Sequence, residues 1–138
     1  MGTRVFVAAV AVALIVSIGA VGTGAARSTA KLPAPLVGPW SRSITAADWA
    51  RVGIRNEPPA RASMLISADG TVVAGETTLR FAPLSGRRLV IIGGYGCGKK
   101  KGIYRWTVAS GRLTLTKLQD ACAYSIAIYA GVWKREKL

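Results

Sequence analysis

A chain of 138 residues that is 51% hydrophobic, with mean hydropathy +0.34, is too apolar for disorder and is sized for one domain with its own core. Its formal net charge of +13 favours anionic partners, and the absence of histidine removes both the usual general base and the imidazole metal ligand. The six carboxylates (Asp48, Glu57, Asp69, Glu76, Asp120, Glu136) are scattered, so the chain reads as non-enzymatic, with no catalytic set, no metal and no cofactor.

In chain order, Arg4 precedes the apolar run Val5–Val21, and the small residues Gly22–Ala26 follow it. Charge, apolar core and small residues in that order predict a signal peptide over 1–26, a signal helix cut after Ala25 or Ala26. The remainder is expected to be secreted or to lie in the cell envelope, with a membrane attachment only if the segment stays uncleaved. Losing Arg4 leaves 18 basic against six acidic residues, net +12. The charge is uneven: residues 27–86 carry +3 and residues 87–138 carry +9.

Residues 27–35 (RSTAKLPAP) read as a flexible lead-in, and 36–138 as the folded domain. A strand is expected from Leu36 to Trp40, then a short helix over about Thr45–Val52, capped by Thr45 with Asp48 at the third position. Short strands follow at Ser63–Ser67, Thr71–Ala74, Thr77–Ala82, Arg87–Ile92, Gly102–Ala109, Arg112–Leu118 and Ile126–Lys134, punctuated by Asp69-Gly70, Pro83–Gly86 and Ser110-Gly111. Tyr104, Trp106 and Val108 alternate with Arg105 and Thr107, and Leu113 and Leu115 alternate with Arg112, Thr114 and Thr116. One apolar and one wet face per strand predicts an all-β fold, an antiparallel up-and-down barrel of about eight strands, since closure removes exposed edges. No internal repeat is evident.

Cys97 and Cys122 are the two cysteines, and in an exported chain an even count predicts one disulfide, closing a 26-residue loop. Gly93–Lys99 satisfies G-x-x-x-x-G-K, but Lys100 stands where a phosphate loop needs Ser or Thr, and a strand follows where it needs a helix. The basic cluster Lys99, Lys100, Lys101 lies near Tyr95, Tyr104 and Trp106, yet inward-facing aromatics cannot stack on bases, so nucleic acid is not the expected partner.

Gly38-Pro39-Trp40, Gly102–Trp106, Leu113–Leu115, Asp120–Cys122 and Gly131–Arg135, in that order, resemble the small secreted bacterial lipocalin-like (calycin-type) β-barrel domains over about residues 36–135. The resemblance implies that Trp40 covers one end of the barrel and that a disulfide ties the glycine-rich stretch to the Asp-x-Cys turn. Members often carry an arginine three residues after the second cysteine; this chain has Ser125 there, which puts an arginine against that tryptophan in doubt. The function expected is non-catalytic extracytoplasmic binding of a small apolar ligand, lined by Trp40, Phe81, Tyr104, Trp106 and Trp133. The alternatives are a basic interaction surface (Arg87, Arg88, Lys99, Lys100, Lys101, Arg112, Lys117) for anionic envelope polymers or an acidic protein, and inhibition of a secreted protease through residues 27–35.

Overall fold

A computed structural model describes residues 30–138; the signal segment and the first residues of the lead-in lie outside them. A 3-10 turn (Ala34–Leu36) leads into β1 (Gly38–Ile44), α1 (Ala46–Arg51), β2 (Ala60–Ile66), β3 (Thr71–Ala74), β4 (Thr77–Leu84), β5 (Arg88–Ile92), β6 (Lys101–Ala109), β7 (Arg112–Gln119), α2 (Ala123–Tyr129) and β8 (Gly131–Arg135). The eight strands pair antiparallel in sequence order and close into a barrel through β1 and β8. This architecture is the expected one and is compatible with a lipocalin-like fold. Among the described residues no helix is long and apolar enough to cross a membrane.

Period-two alternation builds the wall. Trp40, Met64, Ile66, Val72, Leu79, Phe81, Leu89, Ile91, Tyr104, Trp106, Leu113, Leu115 and Trp133 point inward and form one packed cluster. At the end where β1 starts, Leu32 and Leu36 plug the barrel, and the Leu32 amide donates to the Ala68 carbonyl. The folded part thus reaches further back than the expected boundary at residue 36. At the other end, Tyr129 of α2 stacks on Trp133 (centroids 6.4 Å apart) and meets Phe81 edge-on. Here α1 joins α2 through Ile44, Trp49 and Ala127.

Two expectations need correction. Ile126–Lys134 is not one strand: its first part is helical, and β8 begins only at Gly131. The apolar run Ile126–Ala130 carries no period that separates a short buried helix from a buried strand, and packing on Trp49 and Trp133 decides it. The chain also does contain a short repeat, Gly-x-Trp-x-Arg, at Gly38–Arg42 on β1 and at Gly131–Arg135 on β8.

The two copies serve each other. The Trp40 indole donates to the Leu36 carbonyl and the Trp133 indole to the Tyr129 carbonyl, each four residues back. Arg135 lies over Trp40, its guanidinium carbon 4.1 Å from the ring centroid, while Arg42 lies 5.9 Å from that of Trp133. Both glycines have positive φ (+126° and +147°), and a methyl group at either would run into the guanidinium of the other copy's arginine. An arginine therefore does pack on the end-closing tryptophan. It comes from β8, and Ser125 instead lies buried beside the Tyr104 hydroxyl, 3.3 Å away.

Candidate binding surfaces

The five residues expected to line a ligand cavity are brought together, but as packing. Trp40, Phe81, Tyr104 and Trp133 are essentially inaccessible and Trp106 nearly so. Among the best-formed clefts of the described surface, Trp40 borders one beside Met64 and Val73, and Phe81, Tyr104, Trp106 and Trp133 line none. An eight-stranded barrel is just wide enough to be filled by its own side chains, and this one is.

The polar groups inside the barrel are partnered. Tyr104 donates to Asp120 at 2.5 Å, and the same carboxylate accepts the Cys122 amide, so the turn before α2 hangs on a core tyrosine. Burial first, and then Asp120, drive the Tyr104 phenol far above its ordinary pKa, while burial alone pushes Tyr129 up to about 12. Among the described residues Arg42 is the one strongly buried cation. It pairs with Asp48 at 3.2 Å and donates to the carbonyls of Ile128 (3.0 Å) and Ala130 (2.5 Å), tying α1 and α2 to the wall. Burial lowers the Arg42 pKa against the pull of Asp48. At Asp48 burial acts upward, yet the bonds from Thr45 and the charges of Arg42 and Arg51 outweigh it and hold the carboxyl below its usual range. Thr45 and Asp48 form the reciprocal cap expected of α1.

The cystine forms as expected, Cys97 to Cys122, with Cα atoms 5.7 Å apart. It clamps the glycine-rich turn 93–100 onto the start of α2, and the strand β6 follows, so the G-x-x-x-x-G-K motif has no helix to aim at a phosphate. Tyr95, two-thirds exposed, packs edge-on against Tyr124, which meets Trp49 in the same way. Beside Tyr95 a cleft of about 280 Å³ runs past Trp49, Arg61, Ala74 and Tyr129. Sequence reasoning left Trp49, Tyr124 and Tyr129 out of its aromatic set, because only the unforeseen α2 gathers them.

The basic residues divide by position. From Thr77 to Gln119 the chain contains nine basic residues and no carboxylate, and these residues make up β4 to β7. On the outer wall, register places Arg88 directly opposite Arg105, and four residues further along β5 Arg80 and Lys101 flank Ile92. Between these two rows lie Ala82, Val90 and Ile103, half-buried. Of the expected cations, Arg88 stands in this face, while Lys99, Lys100 and Lys101 sit at its helix-bearing end and Arg87 at the other. Arg112 faces Lys134 across β7 and β8, and Lys117 lies apart on the rim of a groove beside α2. Arg80 and Arg105, outside the basic set expected from the sequence, belong to the face because the register turns them outward with Arg88. Among the described residues the three ion pairs use Arg42, Arg51 and Arg61, so none of these cations sits in an ion pair, although Arg80 donates to the Asp69 carbonyl and, behind the bonds from Thr71, its charge helps lower the Asp69 carboxyl pKa.

No family model, curated protein or solved structure matches the chain.

Proposed function

We propose that the protein is an exported, non-catalytic binding module that acts through its outer wall, holding an anionic partner on the β4 to β7 face. A filled interior turns recognition outward. The observation that carries this reading is the pairing of Arg88 with Arg105 in a wall that lacks any carboxylate. Like charges placed directly opposite on neighbouring strands cost stability, on the order of 0.2–1 kcal/mol. A partner with regularly spaced negative charge relieves that repulsion on binding, and acidic envelope polymers and acidic proteins both supply it.

The test couples two readouts. Arg105→Glu creates an attractive pair with Arg88, so it raises the unfolding midpoint while weakening retention on a polyanion such as heparin or polyphosphate. Retention that is unchanged in the variant, or that withstands high salt in the parent, refutes the reading.

A further inference from the structure

The barrel wall is incomplete beside α2. Strand β8 starts at Gly131, opposite Leu115, so β7 runs on through Thr116, Lys117, Leu118 and Gln119 with β6 on one side and no strand on the other. Strand β1 also outruns β8, which pairs only with Trp40 and Ser41. The two overhangs are treated differently. On the β1 side Arg42 fills the gap and bonds the α2 carbonyls. On the β7 side the gap stays open as a groove of about 470 Å³, floored by Leu115, Ile126 and Ala130 and rimmed by Val52, Arg51 and Lys117.

We infer that this groove takes an extended acidic peptide segment, added edge-on to β7 as a further strand with its carboxylates facing Lys117, beside the exposed Arg51 that Asp48 already pairs. An open strand edge is a row of main-chain donors and acceptors waiting for a ladder, and strand addition is a common way to read an extended peptide. Leu118 bulges out of the β6 ladder, since Lys117 pairs with Tyr104 and Gln119 with Ile103, so the overhang keeps three ladder positions and an edge of roughly 10 Å. The apolar floor receives alternate side chains, and Lys117 selects the sign of the others. Charge also decides against the nearest competitor: a second copy of this chain, net +12 without its first 26 residues, is repelled from a lysine-marked edge. The site differs from the outer wall carrying Arg88 and Arg105 and stands or falls separately from it.

The probes are a capped peptide alternating valine and glutamate, its glutamine counterpart, and decanoate as a free carboxylate on an apolar chain. Isothermal titration measures affinity, and amide exchange by NMR locates the contact in the chain lacking residues 1–26. The glutamate peptide is expected to bind, to slow exchange in Thr116–Gln119, and to lose about tenfold in affinity on Lys117→Glu. Lys117 is exposed, so the fold tolerates the change; Lys137→Glu, at the opposite end of the barrel, leaves affinity unaltered. Equal binding of the glutamine peptide, binding without protection of those amides, displacement of the peptide by decanoate, or no binding at millimolar concentration each overturns the inference.

Discussion

Replacing Arg42 by methionine keeps most of the side-chain length and removes the charge, and it isolates what the buried guanidinium contributes. Three things are lost together: the ion pair with Asp48, the bonds to the Ile128 and Ala130 carbonyls, and the face of Trp133. Removing one member of a buried pair costs about 3–5 kcal/mol. Asp48 keeps Arg51 at 2.8 Å and its bonds with Thr45, which places the loss near the lower bound, about 3 kcal/mol. Guanidinium unfolding followed by tryptophan fluorescence reads this directly, with Asp48→Asn and the double variant closing a cycle whose coupling is on the order of 1–3 kcal/mol. Because the Asp48 carboxyl is held below its usual range in the folded chain, its contribution is full above the unfolded value near ~3.9. That contribution disappears as pH falls through the lower folded value, so the gap between parent and variant narrows in acid to what the carbonyl bonds and the Trp133 contact supply. Amide exchange should quicken in α1 and α2 and stay unchanged around Leu36. A loss below about 1 kcal/mol, or exchange that quickens evenly around the barrel, defeats the view of Arg42 as the strut for both helices.

Reduction of the cystine, or Cys97→Ser with Cys122→Ser, should lower stability by roughly 3.5 kcal/mol on loop-closure grounds, seen as a lower denaturant midpoint. In alkali, ultraviolet titration should find two of the four tyrosines, Tyr104 and Tyr129, un-ionised well past pH 10. Their folded pKa values exceed the unfolded value near ~10, so the unfolded chain ionises first and stability falls as pH rises above it. Gly131→Ala should destabilise more than a usual glycine change, by about 2 kcal/mol or more, since it adds a positive-φ penalty to a collision with Arg42. Gly111→Ala, with positive φ but open space, is the control, and a similar cost at both positions would remove the collision from the explanation.

The barrel was legible because its strands obey a period-two code that a linear scan detects: Leu113 and Leu115 against Thr114 and Thr116, or Tyr104 and Trp106 against Arg105. The capped helix α1 was equally plain, for Thr45 and Asp48 carry its start signal in their own side chains. Helix α2 was not, since its first residue follows Cys122 with no side-chain cap and its apolar run suits a buried strand as well. That one miss hid the rest of the site: without α2 there is no reason for β8 to begin late, and no overhang on β7. The aromatic set was recognised as inward-facing, but whether Trp40 and Tyr104 enclose space or fill it depends on how side chains from opposite walls and from Tyr129 meet, which no single strand specifies. The Arg88 and Arg105 pair likewise needs register, a property of two strands together.

The reciprocal Gly-x-Trp-x-Arg motifs lie on the first and last strands, the two whose pairing spans nearly the whole described chain. That contact pays the largest loop-closure entropy of any in the molecule and rewards it only when both arginines find the opposite ring. Closing the cylinder should accordingly be a late and concerted event in folding, a double latch in which neither bolt seats alone. A chain cut short before Gly131 loses both bolts at once, and should remain an unsealed sheet with its tryptophans in water.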